Sequence, residues 1–149
     1  MSINAYLLRE SALSALINAF ISLAFVYAVF GNTDPLPVPG VGNYAFDFLP
    51  QSFAVALMSA LVPGLLARKV LKSGRFPAAT VPSIRRVVLR AFAWAAGALV
   101  LGSLLISIPL WLSGIEAIGR GWGIAGKLGY GALLGAFVTH RSLAMLIAH

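Results

Sequence analysis

The chain contains no cysteine, and this absence excludes disulfides, thiol chemistry and thiolate metal sites. Charged residues make up only 10% of its 149 residues, whereas a soluble domain carries about 25%. Four residues are acidic and two are histidine, so the side chains that build most catalytic and metal sites are scarce. No segment is both polar and long enough to form a separate soluble domain. We therefore expect residues 1–149 to form a single domain.

Catalytic motifs are also missing from the sequence. It contains no HExxH, no GxxxxGK[ST] and no pair of carboxylates on one helix face. From this we expect no enzymatic activity, no cofactor and no metal. The N-terminal region lacks a net positive charge, and the apolar run after it is longer than the core of a cleavable signal. That run is therefore predicted to be a retained first span.

Four long apolar runs fill most of the chain, at residues 12–30, 48–67, 91–112 and 128–147. Each has about the 20 residues that a helix needs to cross the ~30 Å hydrocarbon core of a bilayer. Hydrophobic residues make up 60% of the chain, and the mean hydropathy is +0.92. The sequence therefore predicts an all-α integral membrane bundle of four transmembrane helices, arranged up-down-up-down with short loops.

Several residues mark where these helices begin. Asp47 is placed to cap the second span and Ser83 to cap the third, since both side chains can accept a hydrogen bond from a free backbone amide. Ser113 and Glu116 have the spacing of a capping box. A short interfacial helix is therefore predicted to start at Ser113.

Proline and glycine indicate the shape and packing of the spans. Pro63 is predicted to kink the second span, and Pro109 to bend the last turn of the third. The third and fourth spans are rich in glycine, and Gly131-x-x-x-Gly135 is a pattern that lets two helix backbones approach closely. Close packing of these glycine faces is expected.

The distribution of basic residues predicts the orientation. The loop at residues 68–90 holds seven basic residues and no acid, and positive loops stay in the cytoplasm. Both termini are then cytoplasmic, with nine basic residues inside and two outside. This pattern favours a bacterial plasma membrane. It also favours contact of the loop with anionic lipid head groups, not with nucleic acid. The seven residues are Arg68, Lys69, Lys72, Arg75, Arg85, Arg86 and Arg90.

Polar residues recur along one face of the first span. Ser11, Ser14, Asn18 and Ser22 follow a spacing of three and four, which places them on one stripe of a helix. Such a stripe usually faces other helices, because unpaired polar groups are costly against lipid. Asn18 and Gln51 could line a polar pathway, or each could make one interhelical hydrogen bond.

Glu10, His140 and Arg141 are ionisable residues near the predicted cytoplasmic interface. Glu10 could couple transport to protons or cations, since ionisable groups inside membranes are often functional. Its alternative is a surface residue that pairs with a base, and we expect Arg141 as the partner, with Arg9 competing. His140 could relay protons or bind a metal or haem, although the other histidine is the terminal His149.

An alternative places the inner ends of the helices differently. If the fourth span ends near Thr139, His140 and Arg141 lie at the interface, and residues 142–149 lie along the membrane or leave it. In the functional interpretation, by contrast, Arg141 holds an anionic head group or substrate. Lys127, on the outer side, is expected to extend its ammonium group to the interface, with a role in substrate binding as the alternative.

Two classes of function remain open from the sequence. The first is a non-enzymatic accessory or structural subunit that packs with itself or with another membrane protein. The second is a small transporter or channel that works as a homo-oligomer, because four helices alone rarely enclose a pathway. The orientation of the Asn18 stripe separates the two: a water-filled cavity favours transport, and a tightly packed neighbour favours the accessory role.

Overall fold

The computed structural model describes residues 2–74 and 80–147, so Arg75 of the basic loop and the terminal His149 lie outside the described residues. Within the described ranges, four helices are long and apolar enough to cross a membrane. The prediction of an all-α chain with four such helices is confirmed. The elements are α1 (Ile3–Phe30), α2 (Phe48–Lys72), α3 (Ile84–Gly102), a π-helical segment (Ser103–Ser107), α4 (Ile108–Leu112) and α5 (Arg120–Ile147).

Three of the helices begin earlier than the apolar runs that predict them. They start at Ile3, Ile84 and Arg120, because a helix can continue beyond its apolar run wherever its end is capped or packed. The predicted cap at Ser83 is confirmed, since its hydroxyl accepts a hydrogen bond from the Arg86 amide at 3.2 Å.

The third apolar run is one continuous helical path with a widened turn. The sequence predicts a bend at Pro109, and the structure shows the distortion just before it, in the π-helical segment that ends at Ser107. Proline has no N–H to donate, and its ring crowds the carbonyl four residues earlier, so the regular hydrogen-bond ladder cannot continue unchanged. In α2 the helix passes through Pro63 without ending.

Two loops meet at one end of the bundle and form what we call the loop cap, residues 31–47 and 113–119. Their central parts pair as two short antiparallel strands, β1 (Leu36–Pro37) and β2 (Ala117–Ile118). The Val38 amide donates to the Glu116 carbonyl at 3.0 Å, and the Arg120 amide donates to Asp34 Oδ1 at 3.0 Å. The cap therefore ties the chain after α1 to the chain before α5.

The prediction that a short helix starts at Ser113 is wrong. The Ser113 hydroxyl accepts from the Ile115 amide at 3.2 Å, which is a local turn. Gly114 has a φ of +76°, outside the helical region. The chain then enters β2, because its backbone groups pair with the other loop of the cap.

The helices pack as two pairs joined through the centre. α1 packs mainly against α5, and α3 mainly against α2, while α2 and α5 also pack against each other. Contact is sparser between α1 and α2 and between α3 and α5. This leaves two shallow grooves along the sides of the bundle, the α1–α2 groove of about 200 Å³ and the α3–α5 groove of about 220 Å³.

α5 ends where the fourth apolar run ends, so the alternative in which the helix stops near Thr139 is wrong. The helix continues to Ile147. Leu143 and Leu146 are buried in an apolar cluster with Tyr6 and Leu7 of α1. Burial of this apolar face holds the last two turns against α1, so the chain does not leave the bundle at His140.

Candidate functional site

The interior between α1, α2 and α5 contains polar side chains at two levels. The first, which we call the charged level, lies next to the loop cap and is centred on Asp47 and Lys127. The second, the neutral level, lies further along the helices and is built from four residues. These are Ser14, Asn18, Ser59 and Thr139.

At the charged level, Lys127 Nζ donates to Asp47 Oδ2 at 2.9 Å, and the two side chains are 0% and 5% exposed. This is the one ion pair within residues 2–74 and 80–147. The prediction that Lys127 extends to the interface is wrong. Because α5 begins at Arg120, Lys127 lies about two turns inside the helix and reaches inward to the first turn of α2.

Asp47 immediately precedes α2, as predicted for its cap, but its carboxylate makes no capping hydrogen bond. It accepts from Lys127 instead. A hydrogen bond between two ionised groups is roughly twice as strong as a neutral one, and the buried ammonium would otherwise have no counter-charge. Pairing with Lys127 therefore takes precedence over capping.

Aromatic rings enclose this ion pair. Lys127 Nζ lies 3.8 Å from the Phe48 ring centroid and 5.1 Å from that of Tyr44, within range of a cation–π interaction. The Tyr44 hydroxyl donates to the Gly123 carbonyl at 2.8 Å. Burial, with a smaller effect of the Asp47 carboxylate, raises the pKa of Tyr44 to about 12. The hydroxyl thus remains a hydrogen-bond donor at neutral pH.

Gln51 connects the charged level to α1 and α5. Its Nε2 donates to Ser22 Oγ at 2.8 Å and to the Lys127 carbonyl at 3.2 Å. Gln51 therefore makes interhelical hydrogen bonds, which is one of the two roles predicted for it; the other is to line a polar pathway. Its Oε1 is buried and has no hydrogen-bond partner among the described residues.

The neutral level joins the same three helices without charge. Asn18 Nδ2 donates to Ser59 Oγ at 2.9 Å. Thr139 Oγ1 donates to the Ser59 carbonyl at 2.9 Å and lies 2.7 Å from Ser14 Oγ. Ser14 Oγ in turn lies 3.2 Å from the Gly135 carbonyl. The polar stripe of α1 therefore faces packed helices, and Asn18 is only 3% exposed.

Two glycines of α5 make this close packing possible. A Cβ at Gly131 would collide with the Ser22 hydroxyl and lie 3.0 Å from the Asn18 carbonyl. One at Gly135 would lie 2.9 Å from Asn18 Cγ. The predicted close approach at this motif is confirmed, but its partner is α1 and not the third span, which makes only sparse contact with α5. Gly97 of α3, in contrast, has no heavy atom within 4 Å of a Cβ position.

Glu10, His140 and Arg141 lie outside this interior. Glu10 is half-buried and lines the α1–α2 groove, whereas Arg141 is exposed on α5, 5.8 Å from the Phe137 ring centroid. The predicted Glu10–Arg141 ion pair is absent from the described residues. The reason is that Glu10 projects toward α2, while Leu7 occupies the face of α1 that meets α5. His140 is exposed, and the described part of the chain has no group of acids and histidines that could hold a metal.

Sequence reasoning missed Asp47 as the partner of Lys127, and it missed Ser59 and Thr139 altogether. One signal was available for the ion pair. Lys127 falls too far inside the fourth helical segment to reach water easily, so it needs a counter-charge. Asp47 is an acid at the start of a span on the same predicted side. Ser59 and Thr139 are ordinary small residues in apolar runs, and the sequence contains no signal for them.

Chemically, this interior is suited to joining helices. Its two charges neutralise each other, and its amides and hydroxyls bond to neighbouring helices. No family model, curated protein or solved structure matches this chain. Function is therefore inferred from these contacts.

Proposed function

We propose that this chain crosses a bacterial plasma membrane four times, up-down-up-down, with both termini in the cytoplasm. The contacts between α1 and α2 support alternating directions, since Ser22 meets Gln51 and Ser14 meets Ser59. From the first of these contacts to the second, the residue number decreases in α1 and increases in α2, so the two helices are antiparallel. On α5, the order Gly131 then Thr139 against Ser22 then Ser14 gives the same result.

The charge distribution supports the orientation more strongly once contacts are considered. Lys127 is one of the two basic residues on the proposed outer side, and it is neutralised by Asp47. Arg120 is then the remaining outer base, against nine bases inside. A bias of basic residues toward one side is the main determinant of orientation for chains with short loops.

The function that this geometry supports best is that of a non-enzymatic structural or accessory subunit, which packs with a second copy or with another membrane protein. One observation carries this proposal: the polar stripe of α1 is buried against α5 and α2. Ser14, Asn18 and Ser22 are all used in contacts between helices. A transport pathway in this region would need such groups to face water.

Purification of the full chain in a mild detergent, followed by mass spectrometry of what co-purifies, tests this proposal. We expect either one stoichiometric partner or a stable homo-oligomer. In liposomes, the purified protein should carry no ions and no small solutes. Flux that requires the chain and exceeds that of protein-free liposomes would contradict the accessory role.

A transporter or channel that works as a homo-oligomer is the second candidate, and the α1–α2 groove is the observation that favours it. Glu10 lines this groove together with Asn18 and Pro63. The Oδ1 atom of Asn18 has no hydrogen-bond partner within the described ranges. If this candidate is correct, Glu10→Gln should abolish flux in liposomes, while Glu116→Gln, an exposed acid outside the groove, should leave it unchanged.

A further inference from the structure

The α3–α5 groove has apolar walls and opens toward the side of the bundle. Its walls include Trp94 of α3, Leu105 of the π-helical segment, and Leu134 and Val138 of α5. Gly97 lies between them, and its missing side chain leaves open space. In a bilayer this opening faces the hydrocarbon of the lipids.

The length of the groove corresponds to one leaflet of a membrane. From Trp94 to Leu105 the helix rises about 16 Å at 1.5 Å per residue. Half of the hydrocarbon core is about 15 Å. One extended acyl chain of a lipid in the cytoplasmic leaflet therefore matches the groove from end to end.

Two arginines flank the proposed cytoplasmic end of this groove. Trp94 of α3 and Phe137 of α5 contact each other edge to face, with ring centroids 6.0 Å apart. Arg90 lies one turn beyond Trp94 and Arg141 one turn beyond Phe137, so both lie on the same side of the ring pair. Arg90 also lines the open continuation of the groove, next to Met145.

These arginines have no carboxylate partner in the described part of the chain, where the one ion pair is Asp47–Lys127. Arg90 donates from Nη1 to the Met145 carbonyl at 2.9 Å, which uses one of its five N–H groups. Arg141 lies near the Phe137 ring. An anionic ligand at this end of the groove would therefore meet two guanidinium groups that no described acid neutralises.

We propose that the α3–α5 groove is a binding site for an anionic phospholipid of the cytoplasmic leaflet. One acyl chain lies along the groove over Gly97, and the phosphate contacts Arg90 and Arg141. Basic pockets between membrane helices on the cytoplasmic side bind the head groups of anionic lipids in this way. The inference rests on the proposed membrane location and orientation, but not on the accessory role.

Native mass spectrometry of the detergent-purified full chain tests the site. The probes are phosphatidylglycerol and phosphatidylcholine with identical acyl chains, titrated separately. We expect one lipid to be retained, with phosphatidylglycerol preferred about fivefold for each arginine, the ratio that corresponds to about 1 kcal/mol per basic residue near an anionic surface. Equal retention of the two lipids would overturn the proposal.

Gly97→Leu places an isobutyl group in the groove, and its Cβ enters open space, because no heavy atom lies within 4 Å of that position. It should remove the retained lipid, whereas Ala96→Leu, an exposed neighbour that does not line the groove, should keep it. If Gly97→Leu keeps the lipid, the groove is not the site. If it instead dissociates a dimer, a second copy occupies the groove and the proposal is overturned.

The arginines are tested separately from the groove. Arg141→Gln, alone and together with Arg90→Gln, should reduce the preference for phosphatidylglycerol stepwise. Lys72→Gln with Arg85→Gln removes two exposed charges elsewhere on the same proposed side and should have little effect. An equal loss in both double variants would indicate diffuse attraction and not a site. The double variant could fail to fold because it loses the Arg90–Met145 hydrogen bond. In that case, Arg141→Gln alone still tests the site. Co-purification of a partner does not depend on any of these results.

Discussion

Next to the loop cap, one buried ion pair joins α2 to α5, whereas further along the same helices are joined by neutral hydrogen bonds among Ser14, Asn18, Ser59 and Thr139. At the charged level, the stabilisation comes from a single contact between two ionised groups. At the neutral level, it is shared among several hydrogen bonds. Removing one member of a buried ion pair leaves an uncompensated charge, which costs far more than a lost neutral hydrogen bond. The two levels should therefore respond differently to substitution.

The largest expected effect comes from breaking the charged level on one side only. Asp47→Ala leaves the Lys127 ammonium buried with aromatic rings but no counter-charge. We expect a loss of about 3–5 kcal/mol in the free energy of unfolding. Thermal or denaturant unfolding in a neutral detergent measures this loss.

The matched control for this prediction removes both charges. Asp47→Ala with Lys127→Met leaves no buried ion, so it should be clearly more stable than Asp47→Ala alone. If the loss of stability in the double variant, relative to the unsubstituted chain, equals the sum of the losses of the two single variants, the two residues act independently. That result would contradict a coupled pair.

The second largest loss of stability is expected at the close contact between α1 and α5. Gly131→Ala places a methyl group against the Ser22 hydroxyl, and overpacking of this kind costs typically about 1–3 kcal/mol. Gly129→Ala is the control, because its Cβ meets nothing within 4 Å. It should be neutral or stabilising by up to about 1 kcal/mol through helix propensity. Equal losses at both positions would mean that close helix approach is not the cause.

The neutral level gives a smaller effect. Thr139→Val removes the hydroxyl that contacts Ser14 and the Ser59 carbonyl. Interhelical hydrogen bonds in membranes average about 0.6 kcal/mol, with a maximum of about 1.7, and the loss should lie in this range. Ser103→Ala removes a hydroxyl that bonds only within its own helix, to Leu99, and should cost less. A loss as large as that of Asp47→Ala would remove the distinction between the two levels.

The smallest effect is expected outside the interior. Glu10 and Arg141 form no ion pair in the described residues, so Glu10→Gln and Arg141→Ala should each change stability in lipid-free neutral detergent by about 0.5 kcal/mol or less. Their effects should add in the double variant. A coupling energy well above this value would show that the two side chains interact after all.

The helices could be predicted from the sequence because hydropathy over about 20 residues is a local property. The inward orientation of Ser14, Asn18 and Ser22 could also be predicted, since their spacing places them on one face, and lipid disfavours that face. The Ser83 cap is equally local. For these features, the residues that decide the structure lie within a few turns of one another.

The remaining features depend on which distant segments meet. The Asp47–Lys127 pair requires the start of α2 to lie beside α5, and β1 pairs with a strand from the other loop. Nothing near Ser113 indicates that its loop will form a strand pair in place of a helix. Likewise, the packing of the last turns of α5 against Tyr6 and Leu7 joins segments that lie far apart in the sequence. Such contacts are set by tertiary packing and leave little trace in the sequence.

The pairing of the first long helix with the last one has a consequence for biosynthesis. Ser14 and Thr139 are 125 residues apart, and translation at about 5–20 residues per second takes roughly 6–25 s to cover that distance. Until α5 has been synthesised, Ser14, Gln51 and Asp47 lack the partners that α5 supplies. A ribosome that stalls before α5 would therefore leave a fragment in which these buried polar groups lack the hydrogen bonds and the counter-charge of the complete bundle.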